Sequence, residues 1–142
     1  MPLTQLIYVS SATKEMSEKE LALILKVSAQ NNKKSEITGM LLYGRGRFIQ
    51  VIEGESIHID DLMLKIKADS RHRFVTVLES NIIHSRDFPN WSMGFHMVSD
   101  TEILSSPNFL DFFEASFDSY KYRINFGVPL IMLKAFAKNL PL

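Results

Sequence analysis

Five stretches of the chain are rich in apolar residues and are predicted to be β-strands. The stretches are residues 3–10, 37–43, 47–53, 74–83 and about 91–97. In the last one, the alternation predicts that Trp91, Met93, Phe95 and Met97 share one face. Gly44-Arg45-Gly46 separates the second and third stretches and predicts the turn of a β-hairpin.

Between and after the strands, the apolar residues take the spacing of amphipathic helices. The first helix is predicted to begin at Ser17, which has a glutamate three residues later as in a capping box, and its stripe is Leu21, Ile24, Leu25 and Ser28. Ser56 is predicted to cap the second helix, whose stripe is Ile59, Leu62, Met63 and Ile66. Lys65 and Asp69 have the spacing of an ion pair on that helix.

Two more helices are predicted near the C-terminus. The first follows Pro107, with an apolar stripe of Phe109, Leu110, Phe112, Phe113 and Phe117. The second opens at Val128-Pro129, since proline suits the first helical turn, and continues with Leu130, Leu133, Phe136 and Leu140.

The order of the elements predicts an α+β fold with a ferredoxin-like βαββαβ core, an extra fifth strand and two C-terminal helices. In that topology the first and third strands lie side by side at the centre of the sheet, and both early helices cover one face. The other face needs its own cover, which the C-terminal helices are expected to supply. We divide the chain into a domain over residues 1–98 and a helical extension over 99–142 of the same compact unit.

Composition excludes several classes of function. Sixteen basic residues balance sixteen acidic ones, so no overall charge favours nucleic acid or an anionic membrane. The chain has no cysteine, which excludes disulfides, cysteine-ligated zinc and thiol nucleophiles. The sequence has neither a signal-peptide pattern nor an apolar run long enough to span a membrane, so we expect a cytoplasmic protein.

Sequence motifs of catalysis are also missing. The four histidines, His58, His72, His84 and His96, have no convincing shared face, so no metal site is predicted. There is no phosphate-binding glycine loop and no GxSxG nucleophile elbow. The chain is therefore not expected to be an enzyme.

Two polar residues fall in the middle of the predicted central strands. Tyr8 lies in the first strand, and Gln50 lies in the third between apolar neighbours. A buried glutamine needs hydrogen-bond partners, and a tyrosine hydroxyl is one of them. The pair is either an ordinary core hydrogen bond or a polar relay beside a bound ring. Asn31 and Asn32, near the end of the first helix, are likewise either C-caps or contacts of such a ring.

A series of motifs runs through the chain in one unbroken order: Tyr8, Asn31-Asn32, Ile37-Thr38-Gly39, Phe48-Ile49-Gln50, Glu53-Gly54-Glu55, Arg71-His72 and Trp91-Ser92-Met93. In this order they resemble the BLUF family of blue-light sensors that use flavin. The resemblance covers residues 3 to 98. From Ser99 onward the chain is similar to the two-helix tail of short, stand-alone members only in length and character, and no effector domain is expected.

The resemblance implies a flavin held between the two early helices and against the central strands. FAD is the expected cofactor, with FMN or riboflavin as alternatives. Asn32 is expected to hydrogen-bond the polar edge of the ring, and Asn31 to contact the ring or the side chain below it. Lys65 and Arg71 are expected near the ribityl or phosphate groups. The other implied cofactor contacts are Tyr8, Ile24, Ser28, Phe48, Gln50, Leu62, Ile66, Asp69 and His72.

The resemblance also implies a reversible switch without turnover. Light excites the flavin, Tyr8 gives up an electron and a proton and takes them back, and Gln50 rotates or changes tautomer. Trp91 and Met93 are then expected to exchange places near Gln50 and to pass the change to the C-terminal helices. The implied photoactive residues are thus Tyr8, Gln50, Trp91 and Met93.

Two other functions stay open at this point: a flavin-dependent redox enzyme and a flavin-free regulatory module of the same fold. A sensor without an effector must signal by contact, and the C-terminal helices carry more apolar surface than a monomer usually exposes. We therefore expect a homo-oligomer and an unidentified downstream protein, with no direct contact to nucleic acid or membrane.

Overall fold

The computed structural model of the protein describes residues 2–105 and 128–137. Within these ranges the elements are β1 (Leu3–Ala12), α1 (Glu18–Lys34), β2 (Thr38–Gly44), β3 (Arg47–Glu55), α2 (Ser56–Ala68), β4 (His72–Ile83), β5 (Gly94–Met97), α3 (Asp100–Leu104) and α4 (Val128–Ala137). The helix predicted after Pro107, with Phe109 to Phe117, lies outside the described residues, and so does Leu140.

The five strands form one sheet in the order β4-β1-β3-β2-β5. Neighbouring strands are antiparallel, except that β5 runs parallel to β2. The strands β1 and β3 are adjacent at the centre, and their register places Tyr8 directly opposite Gln50. The predicted ferredoxin-like α+β fold is confirmed.

Alternation along the central strands divides the core between the two faces of the sheet. Leu6 and Tyr8 pack on the side of α1 and α2, whereas Ile7 and Val9 pack on the other side with Leu133 of α4. Cover of that second face by the last helix was predicted from its apolar residues and is confirmed.

The β2–β3 hairpin and the start of α1 also follow the sequence prediction. Gly44 pairs with Arg47, and between them Arg45 and Gly46 have φ values of 49° and 75°. Two successive positive φ values are the geometry of a type I′ turn, which matches the twist of the flanking strands. Ser17 caps α1 by accepting a hydrogen bond from the backbone N–H of Glu20.

One predicted boundary is wrong, and one helix was not predicted. Helix α2 begins at Ser56 itself, and Glu55 stands at the capping position without a side-chain hydrogen bond. The Ser56 hydroxyl is not free to cap because it is hydrogen-bonded to the Thr4 hydroxyl at 2.6 Å. The sequence analysis also missed α3, which has a complete capping box between Ser99 and Glu102.

The fifth strand begins at Gly94, so the prediction that Trp91 shares a face with Met93 is wrong. Trp91 packs with the core under α4, whereas Met93 packs on the side of α1 and α2. A Cβ atom on Gly94 would lie 1.8 Å from Trp91 Cε3. The indole therefore fills the space where a side chain at position 94 would stand, which puts it on the opposite face from Met93.

In the part of the chain that the structure describes, no helix is long and apolar enough to cross a membrane. A cytoplasmic location and the division of the chain at residue 99 stay predictions.

Candidate functional site

A cleft of about 550 Å³ opens between α1 and α2, with β1 and β3 as its floor. This volume is in the range of small-molecule sites, roughly 300–1,000 Å³. The cleft is lined by all thirteen residues that the sequence analysis assigned to a cofactor, namely Tyr8, Ile24, Ser28, Asn31, Asn32, Phe48, Gln50, Leu62, Lys65, Ile66, Asp69, Arg71 and His72. That these residues hold a flavin stays a prediction.

Tyr8 and Gln50 form a hydrogen-bonded pair on the floor of the cleft. Both are buried, with 4% and 8% of their surface exposed. The Tyr8 hydroxyl donates to Gln50 Oε1, and Gln50 Nε2 donates to Met93 Sδ at 3.1 Å. Each end of the amide thus has its own partner, so the two possible orientations of this amide differ in their hydrogen bonds.

The surroundings of Tyr8 keep its phenol neutral. Burial raises the pKa of Tyr8 above its ordinary value, and the negative charge of Asp69 raises it further. Both effects disfavour the charged form. The hydroxyl is therefore available as a proton donor to Gln50 Oε1 over the whole physiological pH range.

His72 forms a fixed wall beside this pair. Its Nδ1 lies 2.8 Å from the Ser10 hydroxyl, and its Nε2 lies 2.5 Å from the carbonyl oxygen of Ile66. A carbonyl oxygen only accepts, so Nε2 carries a proton and donates it to Ile66, while Nδ1 and the Ser10 hydroxyl form the second hydrogen bond. The imidazole packs edge-on against Tyr8 and Phe48, with centroid distances of 6.4 and 6.0 Å.

Charged side chains stand at the mouth of the cleft. Arg71 Nε donates to both carboxylate oxygens of Asp69, at 2.9 and 3.0 Å, and this bond lowers the pKa of the Asp69 carboxyl. The predicted pair of Lys65 with Asp69 is therefore wrong. The helix ends at Ala68 and Asp69 is already extended, so the spacing of four residues no longer brings the two side chains together.

The two asparagines belong to the last turns of α1, which continues to Lys34 and is capped at Ser35. The C-cap interpretation of Asn31 and Asn32 is therefore wrong. Asn32 is buried, and its Nδ2 donates to the carbonyl oxygen of Ser92 at 3.1 Å. Asn31 lines the cleft from an exposed position. Asn32 thus joins the helix to the segment that carries Met93.

The other two implied photoactive residues are placed differently from one another. Met93 contacts Gln50 on the side of the sheet that faces the cleft, whereas Trp91 does not line the cleft. The backbone carbonyl of Trp91 accepts from the N–H of Gly39 at 3.0 Å.

The sequence analysis missed further residues of the cleft wall. They are Met16, Leu21, Leu23, Leu25, Val27, Ser35, Ile37, Leu41, His58 and Asp61. His58 and Asp61 lie four residues before Leu62 and Lys65, on the same side of α2, so helical spacing could have found them. Among the described residues, no group of three or more histidine, aspartate or glutamate side chains could hold a metal ion.

Comparison with known proteins identifies a protein family that the chain matches. A family model described as sensors of blue-light using FAD matches residues 3–94. Among curated proteins, the photoactivated adenylate cyclase subunit beta of Euglena longa is 38% identical over 92 residues, which are 64% of this chain and 11% of that protein. The matched region is therefore a small part of this relative.

Solved structures share the fold over a longer range. A dark-state structure of BlrB, a BLUF protein, superposes with a TM-score of 0.76 at 27% identity, covering 98% of each chain. A bacterial light-regulated adenylyl cyclase superposes with a TM-score of 0.70 at 36% identity, covering 76% of this chain and 32% of the other.

Proposed function

The chain belongs to the family of sensors of blue light using FAD, and on that premise we propose that the hydrogen-bonded pair of Tyr8 and Gln50 is its light switch. The observation that carries the proposal is the placement of this buried pair in the wall of the cleft, with Met93 at the other end of the Gln50 amide. An ordinary core hydrogen bond would not need to face an open cavity between two helices.

The residues of the cleft fit a flavin. Apolar side chains from both helices, among them Ile24, Leu62 and Ile66, suit the faces of a flat ring. Gln50 and Asn32 offer amide groups for the polar atoms at its edge, and Lys65 and Arg71 offer positive charge at the mouth. Because these cations suit a phosphate group, we favour FAD or FMN over riboflavin, and FAD is our choice.

A flavin bound in the cleft would supply the absorption of blue light and, in its excited state, an electron acceptor. Tyr8 is the donor in our proposal, and its hydroxyl proton passes to Gln50 Oε1 along the existing hydrogen bond. While the proton is displaced, the Gln50 amide turns or changes tautomer. Tyr8 then recovers both its electron and its proton, so the only lasting change is in the hydrogen bonds of Gln50.

The amide of Gln50 suits a two-state switch because its two ends are chemically different. If it turned, Oε1 would face Met93 Sδ, which has no proton to donate, and Nε2 would face the Tyr8 oxygen. Each state therefore needs a different set of partners, and in a buried site such differences weigh heavily. This gives the dark and lit states distinct hydrogen-bond patterns.

We further propose that this domain signals by contact and has no turnover of its own. The photoactivated cyclases named above pair such a domain with a catalytic one. For this chain the receiver would be a downstream protein, with a second copy of the chain in a homo-oligomer. Ile131 on α4 supports a contact surface there, since it is exposed while Leu133 is buried in the core.

The test is an absorption spectrum of the purified protein in the dark, after blue light and during recovery. We expect a flavin spectrum that shifts reversibly to the red without bleaching. A flavin that bleaches, or is reduced by NAD(P)H in the dark, would favour a redox enzyme. Absence of flavin even after reconstitution would favour a flavin-free module and contradict the proposal.

A further inference from the structure

The strand that carries Gln50 also carries a fully buried carboxylate, Glu53, which has no part in the switch described above. Glu53 lies directly opposite Gln5 of β1. By strand alternation both side chains point to the face of the sheet that packs under α4, away from the cleft. A buried carboxylate is costly unless hydrogen bonds compensate it, so its partners indicate what it stabilises.

Those partners lie mainly in the loop between β4 and β5. Glu53 Oε2 accepts from the backbone N–H of Asp87 at 2.8 Å, and Oε1 accepts from that of Phe88 at 2.8 Å. Gln5 Nε2 adds a third bond, at 2.8 Å to Oε2. The backbone carbonyl of Glu53 also accepts from Arg86 Nη1 at 2.9 Å. Three successive loop residues are thus bound to Glu53.

The far end of the same loop carries the residues of the switch. The Trp91 carbonyl is held by Gly39, and the Ser92 carbonyl is held by Asn32. From there Met93 contacts Gln50 on the cleft side, and Trp91 packs on the other face. The loop therefore runs from the Glu53 carboxylate to the side chain that touches Gln50.

Asp87 connects this loop to the last helix. Its Oδ2 accepts from Gln5 Nε2 at 2.7 Å, and its Oδ1 forms an ion pair with Lys134 Nζ at 3.0 Å. Lys134 belongs to α4. A movement of the loop would therefore change the ion pair that holds α4 as well as the position of Met93.

We propose that Glu53 is a positioning residue of the light switch. Its carboxylate anchors the β4–β5 loop, and this anchor holds Met93 against Gln50 with Trp91 on the opposite face. Through Asp87 the same anchor links the position of α4 to that arrangement. The predicted effect of Glu53 on the photocycle rests on the proposed function. The anchoring of the loop by Glu53 does not.

The test compares Glu53→Gln with Glu55→Gln, the same substitution two residues along β3 at a partly exposed position. A glutamine at position 53 keeps the shape but turns one acceptor into a donor, so one N–H of the loop or of Gln5 loses its partner. Flavin binding and the size of the red shift should be retained, because Tyr8 and Gln50 are unchanged. Dark recovery should change by about fivefold or more.

A second measurement works without flavin. Trp91 is the only tryptophan of the chain, so its emission reports on the loop alone. In flavin-free Glu53→Gln we expect acrylamide to quench this emission about twofold more strongly than in Glu55→Gln. Equal recovery and equal quenching in the two variants would overturn the inference, whereas loss of the red shift in the unmodified protein would overturn only the proposed function.

If Glu53→Gln does not fold, the unmodified protein still provides a test. The amides of Asp87 and Phe88 should exchange with deuterium about a hundredfold more slowly than those of Ser85 and Asn90 in the same loop, because only the former donate to the buried carboxylate. Exchange at the same rate for all four amides would show that the loop is not anchored and would overturn the inference.

Discussion

Tyr8 differs from an ordinary core tyrosine in what surrounds its hydroxyl group. Burial and the charge of Asp69 raise its pKa, and its one side-chain acceptor is the amide oxygen of Gln50. The residue is thus a neutral donor that faces one acceptor at the edge of a cavity. Its role in the switch can be separated from its contribution to packing by comparison with a second buried tyrosine.

Tyr43 provides that comparison, because it is equally buried and its hydroxyl accepts from the backbone N–H of Met16. Tyr8→Phe should bind flavin but show no red shift, since it removes the proton donor. Tyr43→Phe should keep the red shift. Each variant should lose about 1–2 kcal/mol of unfolding free energy, because each leaves a buried polar group without its partner. A red shift in Tyr8→Phe would contradict the proposed relay.

The raised pKa of Tyr8 also predicts a pH dependence of stability. The folded protein disfavours the tyrosinate. The contribution of Tyr8 to the unfolding free energy is therefore fully present below the pKa of about 10 that the residue has in the unfolded chain, and it is lost as the pH rises above that value. The unfolding free energy should therefore fall more steeply with pH above about 10 in the unmodified protein than in Tyr8→Phe, by up to about 1.4 kcal/mol per pH unit. Urea unfolding at several pH values measures this, and equal slopes would contradict it.

For single residues, the sequence predicts which side chains line the cleft better than it predicts their hydrogen-bond and ion-pair partners. Stripe spacing and the family motifs found Ile24, Leu62 and Gln50. The predicted partner of Asp69 was wrong because it depends on where α2 ends. Asp69 lies one residue beyond the helix, and its side chain therefore takes a different direction. The Glu53 network could not be predicted, because its donors come from a loop without any periodic pattern.

Among the elements, the segment before β5 determines which side chain reaches Gln50. Alternation over Trp91 to Met97 predicted one continuous strand, but the strand begins at Gly94 and the indole occupies the space beside that glycine. Periodicity failed here because a chain that is not yet in a strand has no fixed alternation. Gly94 is the residue that permits the observed arrangement.

Gly94→Ala should therefore displace Trp91. The added Cβ would lie 1.8 Å from Trp91 Cε3 and 2.8 Å from Met40 Sδ, so the indole must move. We expect a loss of about 1–3 kcal/mol of unfolding free energy and stronger acrylamide quenching of Trp91. Gly46→Ala is the control, because it strains the hairpin turn but has open space around it. Unchanged quenching in Gly94→Ala would contradict the packing described here.

For the whole molecule, the order of elements and the apolar stripes were sufficient to predict the sheet, its two faces and the cover by α4. Strand and helix periodicity specify these features because each buried face must find a partner. The cleft between α1 and α2 follows from the same topology. Because the cleft separates the two helices, we expect the stability of the protein to depend on the ligand that fills it.

Removal of flavin should lower the thermal stability of the whole protein. A ligand that binds only the folded state at a hundredfold excess over its Kd adds about 2.7 kcal/mol to the unfolding free energy. For a chain of 142 residues this corresponds to a rise in Tm of roughly 5–10 °C. ADP, which lacks the flavin ring, is the control. Equal stabilisation by ADP and FAD would contradict the assignment of the ring to the cleft.

The light-minus-dark absorption difference of Gln50→Ala, measured beside Gln30→Ala, tests the central claim most directly. Gln30 is an exposed glutamine of α1 that does not line the cleft. We predict that both variants bind flavin, that Gln30→Ala shows the full reversible red shift, and that Gln50→Ala shows none. A normal red shift and recovery in Gln50→Ala would mean that the amide of Gln50 is not the switch.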